Sequence, residues 1–250
     1  MASAQVQAVL HPSRAAATQP GIRATEGAWP ERQPAPEFTA GQSFTLAAED
    51  LLVDIDHTTA QGHPLKPVLI GPLTYLWLGK ATTFDKLDLL DALLPAYNEL
   101  LVRLAERGVE WVQLDEPILT LELPQAWKSA FERAYHMLQY SPLKKLLAAP
   151  FGSLDGNLGL AATLPVAGLH VDLARAPEQL PAVLDRLPVY KVLSVGLGDR
   201  ETPLEDARLR FGENLWLSDC AGASPGLEPA AQGDAALQRW LALAGERQVA

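Results

Sequence analysis

Residues 109–117 read VEWVQLDEP, and this stretch decides the fold. Val109, Trp111, Val112 and Leu114 put apolar side chains on both faces of an extended segment, as in a strand covered on both sides. Before it, Leu90, Leu93, Leu94, Tyr97, Leu101, Leu104 and Ala105 repeat with the period of a helix over about 89–107, and Gly108 stands where a helix ends. After it, Trp127, Ala130, Phe131, Ala134, Tyr135 and Leu138 mark one face of a second helix over about 124–139. Pro95 should kink the first helix or mark its true first turn.

The alternation continues in both directions. Short apolar runs at 66–72 (KPVLIGP), 144–151 (KKLLAAPF), 168–173 (GLHVDL), 191–197 (KVLSVGL) and 214–220 (NLWLSDC) give six strands with the first. Shorter helical patterns fit 157–164, 177–187, 202–210 and 234–246, and a further helix fits 45–60 through Leu46, Leu51, Leu52 and Ile55. Nearly apolar strands alternating with helices mean a parallel sheet. The expected fold is α/β, a TIM-type (β/α) barrel that is incomplete, with about six of its eight βα units. The expected division is an unstructured or unrelated leader over 1–40, where Pro20, Pro30, Pro34 and Pro36 break regular structure, and a partial barrel over 41–250. Residues 1–25 carry Arg14 and Arg23 and no acid, loosely as in a transit peptide.

Composition narrows the function classes. An apolar content of 48% supports a large core, and a net charge of −10 argues against nucleic acid or an anionic membrane as partner. A single cysteine, Cys220, excludes an internal disulfide framework and fits a reducing, cytoplasmic setting. No apolar run approaches a membrane span.

In such barrels functional groups sit at the C-terminal strand ends. Asp115 and Glu116, neighbours on one strand end, point to different sides, so one can face the mouth as a ligand-binding or acid–base carboxylate. The alternative is a solvated turn with Pro117 starting a helix. His170 and Asp172 share a face and form a second candidate pair, with a hydrogen-bonded core histidine as the alternative. Cys220 alone builds no usual zinc site. Gly71-Pro72 sets a turn, and Tyr75 and Trp77 either wall a pocket or pack in the core. No Gly-x-Ser-x-Gly or His-Glu-x-x-His motif is present, and His57, His63 and His136 lack ligand spacing.

The segments KPVLIGPLTYLWLGK (66–80), FDKLDLLDALLPAYNELLVRLAERGVEWVQLDEPILTLELPQAW (84–127) and LPVAGLHVDLARAPEQL (164–180) resemble the N-terminal barrel of cobalamin-independent methionine synthase. The resemblance runs from about Pro36 to Leu197 and weakly beyond. It implies two barrels related by duplication and transfer of a methyl group from methyltetrahydrofolate polyglutamate to homocysteine. It also implies a zinc ion, held in the C-terminal barrel, that binds the thiol as thiolate. By duplication, Asp115 matches a homocysteine-binding aspartate, Asp172 a zinc-binding glutamate and Cys220 a zinc-binding cysteine. The zinc-binding His-x-Cys pair should fall near Ala148–Phe151, where AAPF offers neither residue. The family's opening basic strand and its lysine upstream of PEF have no counterpart, and 198–213 is shorter than in the family. The expectation is therefore a truncated N-terminal domain with no catalytic residues or zinc of its own, acting beside a separate catalytic barrel or by self-association. A non-catalytic binding module, a degraded gene product and a metal-free barrel enzyme using Asp115 or Glu116 as base are the alternatives.

Overall fold

The computed structural model describes residues 3–7, 36–61, 65–197 and 203–218. The strands are β1 (Ser3–Gln7), β2 (Ser43–Ala47), β3 (Val68–Ile70), β4 (Trp111–Asp115), β5 (Lys144–Ala149), β6 (Gly168–Asp172), β7 (Val192–Gly196) and β8 (Leu215–Ser218). The helices are α1 (Glu49–Ala60), α2 (Pro72–Leu78), α3 (Leu90–Ala105), α4 (Gln125–Leu138), α5 (Leu158–Thr163), α6 (Leu180–Arg186) and α7 (Glu205–Phe211). β3 to β8 form one parallel sheet in sequence order, the arrangement of a (β/α) barrel wall. Each expected strand is present within a few residues of its expected ends. The helix-facing side chains of the sheet, among them Leu69, Val112, Leu114, Leu147, Leu169, Val171, Leu193 and Val195, pack with the helices into the main core.

The other face is concave. Along the hydrogen-bonded register Trp216 pairs through Ser194, His170 and Ala148 to Asp115. In a flat sheet β4 and β8 would stand about 19 Å apart, four strand spacings of about 4.8 Å. Yet the ring centroids of Trp111 and Trp216 are 4.7 Å apart. The sheet therefore curls around a bore. Trp216 meets a residue four positions below its register partner across four strands, which is the one-residue-per-strand stagger of an eight-stranded barrel. The same stagger brings Ser218, in register with Asp172, to 3.4 Å from His170. Gly168 lies in the layer of the two tryptophans, and a Cβ there would stand 2.9 Å from both Leu146 and Val192. Inward side chains thus stack in layers, with Trp111 and Trp216 as the floor, Gln113, His170 and Ser218 above them, and Asp115 and Asp172 at the mouth.

Two expectations need correction. Residues 1–40 were expected to lack regular structure, but Ser3–Gln7 forms a strand parallel to β2. Phe38 also joins the core at 7% exposure, and Glu37 bridges Lys80. Thr45–Ala47, assigned to a helix, belong to β2, and the helix starts at Glu49. The cause in both cases is pairing between segments about forty residues apart, which local periodicity does not register. The β1–β2 pair is separate from the main sheet, and β2 lies against α3. Phe44 and Phe38 anchor it on Tyr75 with centroids 5.7–6.4 Å apart. Among the described residues β3 and β8 each keep one edge without a strand partner. The expected helix over 234–246 and Cys220 lie outside the described residues.

Candidate functional site

Asp115 and Glu116 do point to opposite sides, and their roles divide accordingly. Glu116 turns outward into the helix layer, fully buried. Its Oε1 accepts from the Leu73 N–H at 3.2 Å and the Tyr135 hydroxyl at 3.2 Å, and its Oε2 from the Thr74 N–H at 2.7 Å. Those two N–H groups belong to the first turn of α2, which has no side-chain cap of its own. Gly71 permits the approach, because a Cβ there would stand 2.2 Å from the Glu116 carboxylate. At the other end of α2 the Lys86 ammonium takes the carbonyls of Trp77 at 2.6 Å and Gly79 at 3.2 Å. A carboxylate at the N-terminus and an ammonium at the C-terminus both complement the helix dipole. Burial nevertheless pushes the Glu116 carboxyl up to about 7, against the donors that hold it down.

Asp115 turns into the bore. Its Oδ1 accepts from Gln113 Nε2 at 2.7 Å, and Gln113 Oε1 accepts from the Lys66 ammonium at 2.6 Å. Burial raises Asp115 to about 6, with the Gln113 hydrogen bond and the Lys66 charge pulling the other way. On β6, in the same register row with only Ala148 between, stands His170. Its Nδ1 meets the Ser194 hydroxyl at 2.9 Å. Burial and the Lys66 charge lower it to about 4, while Asp172 opposes them.

Neutral His170 has a measurable consequence. The unfolded chain takes up this proton near pH 6.5 and the native chain only near 4, so the histidine's contribution is present above 6.5 and lost as pH falls. The stability advantage of the wild type over His170→Gln should shrink by about 2 kcal/mol between pH 7 and 5. Urea denaturation of both proteins at the two pH values checks this. The contributions of Asp115 and Glu116, whose carboxyls are raised, run in the opposite direction and cancel in that difference.

Asp172, two residues on from His170, shares its face as expected but serves a different group. Its Oδ2 accepts from the Phe151 N–H at 3.1 Å and from Arg175 Nη1 at 2.6 Å, and its Oδ1 from the Arg175 N–H at 3.0 Å. Phe151 holds φ +81°, a left-handed conformation that costs a non-glycine residue about 1–3 kcal/mol. The Arg175 guanidinium lies 5.5 Å from the Phe151 ring. Gln179 ties the corner together, donating to the Asp172 carbonyl at 3.0 Å and accepting from the Leu154 N–H at 3.2 Å.

The inner face of the sheet therefore carries Asp115 and Asp172 at the mouth and His170 one layer below, and it excludes Glu116. Lys66, Gln113, Ser194 and Arg175 were not singled out from sequence. A polar residue at an inward position of an apolar strand, as Gln113 in VEWVQLDEP and Ser194 in KVLSVGL, is the signal that could have found those two; Lys66 and Arg175 lie outside the strands. Tyr75 and Trp77 pack in the core: Tyr75 on Phe38 and Phe44, Trp77 on Trp127 with centroids 4.7 Å apart. Among the described residues no three His, Cys, Asp or Glu side chains come together as metal ligands, and no helix is long and apolar enough to cross a membrane.

Comparison with known proteins agrees with this architecture. The family described as cobalamin-independent synthase, N-terminal domain, matches residues 34–206, more than two thirds of the chain. A methyltransferase from Methanosarcina mazei superposes with a TM-score of 0.58 at 15% identity, over 89% of this chain and 72% of its own. A Listeria monocytogenes protein assigned as a vitamin-B12-independent methionine synthase gives 0.57 at 16%, over 84% and 73%. A B12-independent methionine synthase from Shewanella sp. W3-18-1, solved with selenomethionine, gives 0.50 at 14%, over 78% and 65%. At such identities these likenesses speak for the fold.

Proposed function

Because the chain belongs to the cobalamin-independent synthase N-terminal domain family, we propose that it serves as the supporting barrel of a methyl transfer in the cytoplasm. The methyl group would pass from methyltetrahydrofolate polyglutamate to the thiol of homocysteine, and a catalytic barrel beside this one would carry the chemistry. The observation that carries the reading is how the mouth carboxylates are used. Asp115 is bonded to Gln113, and Asp172 is committed to Phe151 and Arg175. Both act within this chain, as expected of groups that hold a scaffold in shape.

The same observation bears on zinc. Asp172 would have to release a guanidinium 2.6 Å away to ligate a metal, and the neighbouring Ala148 offers no donor side chain. The described residues do not fit the ion, so the thiolate chemistry is assigned to the catalytic barrel. Asp115 and Asp172, buried at the mouth, and His170 one layer below them are then the groups of this chain nearest to a substrate or a facing barrel. Glu116, bonded within the helix layer, falls outside that set.

The test is reconstitution. The chain is titrated into a separately expressed catalytic barrel, and methyl transfer and thermal unfolding are followed together. Methyl transfer should rise several-fold and saturate, and the melting temperature of the mixture should rise because binding stabilises the native states. A methyl-transfer rate unchanged at any excess of the chain would sink the proposal.

A further inference from the structure

Among the described residues the outward face of the parallel sheet is covered up to β7 and left half open at β8. Its side chains line up in two register rows across β6, β7 and β8, Leu169–Leu193–Leu215 and Val171–Val195–Leu217. Leu169, Leu193, Val171 and Val195 are all at 0% exposure. Leu215 and Leu217, the β8 members of the same rows, are only half-buried. The difference follows from the repeat of the chain. Each of β3 to β7 is followed by a helix, and the inward residues of those helices join the sheet in the main core. α7, which precedes β8, packs against it, but among the described residues no helix follows it.

The sequence supplies a segment that fits this face. The chain continues past Ser218, at the mouth end of β8, through residues 219–250, which lie outside the described residues. Within them Asp234 stands where a helix begins and Gly245 where one ends. Between the two, Leu237, Trp240, Leu241 and Ala244 recur at i, i+3, i+4 and i+7 as one apolar stripe, with Arg239 on the opposite side. We propose that residues 235–244 form a helix whose stripe docks on Leu215 and Leu217 of the same chain. Such a helix would run about 15 Å, against about 13 Å for the four residues of β8, so the two match in length. The connection over 219–233 holds Gly222, Pro225, Gly226 and Pro229, turn-forming residues in a stretch long enough to bring the chain back over the sheet. A helix this short does not persist alone in water, so its stripe needs an apolar face to lie on. The occupant is the chain's own because the segment next in sequence covers each preceding strand, β3 to β7, in the same way.

Hydrogen exchange of the full chain, read by mass spectrometry, tests this. In the wild type the amides of 235–244 should exchange at least about tenfold more slowly than in a synthetic 219–250 peptide. That protection should be the same at low and high protein concentration. Trp240→Asp should abolish it, and Arg239→Asp, off the stripe, should leave it in place. Leu217→Ala should reduce it several-fold from the side of the strand, while the amides of Leu147 and Leu169 keep their wild-type rates. Wild-type exchange of 235–244 at the peptide's rate would overturn the proposal, as would protection that Trp240→Asp or Leu217→Ala leaves unchanged. Protection that appears only at high concentration would overturn it too, and would put a second copy of the chain on this face. The measurement uses no catalytic barrel, so its outcome is independent of the reconstitution result.

Discussion

Glu116→Ala is expected to destabilise the chain by about 3–5 kcal/mol, the range for removing one partner from a buried, hydrogen-bonded charged group. The substitution strands two backbone N–H groups of α2 and the Tyr135 hydroxyl in the core together. It also leaves a void between Gly71 and Tyr135, which the surrounding helices fill only in part. Glu116→Gln keeps one acceptor oxygen and should lose roughly half as much. Urea denaturation midpoints at constant m-value check both. A loss below about 1 kcal/mol for alanine would mean that packing, and not the carboxylate, holds α2 in place. The glutamine protein carries a second signature. The unfolded chain releases the Glu116 proton near pH 4.5 and the native chain near 7, so this group's contribution falls as pH rises through that window. In Glu116→Gln that slope should be gone.

Asp172→Ala should be comparably damaging, at about 3–5 kcal/mol, for a different reason. It leaves the Arg175 guanidinium, whose side chain is only 10% exposed, without its carboxylate. Among the described residues Arg175 Nε already lacks a hydrogen-bond partner, so this guanidinium leans on Asp172. The Phe151 N–H loses its acceptor as well, at a residue whose positive φ must be held by its surroundings. The loss should therefore appear locally. Hydrogen exchange at the Phe151 and Arg175 amides should accelerate far more than at Leu147 or Leu169 in the neighbouring strands. Equal acceleration everywhere would count against a specific role for this carboxylate.

The sheet was legible because each of its six strands is a short apolar run between turn residues, and burial on both faces demands that pattern. The α4 face was legible residue by residue, since Trp127, Ala130, Phe131, Ala134, Tyr135 and Leu138 are all buried. β1 was not legible. Its five residues, SAQVQ, contain two apolar side chains, and what makes them a strand is backbone pairing with Ser43–Ala47. The site divides in the same way. That Asp115 and Glu116 face opposite sides follows from the period of a strand. Which of them faces the bore depends on Leu73, Thr74 and Tyr135, 19 to 43 positions away. His170 and Asp172 share a face as read, but their separate partners, Ser194 and Arg175, come from the fold.

The clamping of α2 has a consequence for how the chain is made. Seven residues are too few for a helix to persist unaided in water. Its C-terminal clamp, Lys86, leaves the ribosome soon after the helix itself, but its N-terminal clamp is completed only with Glu116 and Tyr135. During synthesis the segment from Pro72 onward must therefore wait, without its cap, until roughly sixty more residues have been added. Through that interval Leu73 and Leu76, which the finished protein hides entirely, stand open to solvent and to other chains. A nascent chain stalled before Glu116 should bind hydrophobic-segment chaperones that one stalled well past Tyr135 no longer engages.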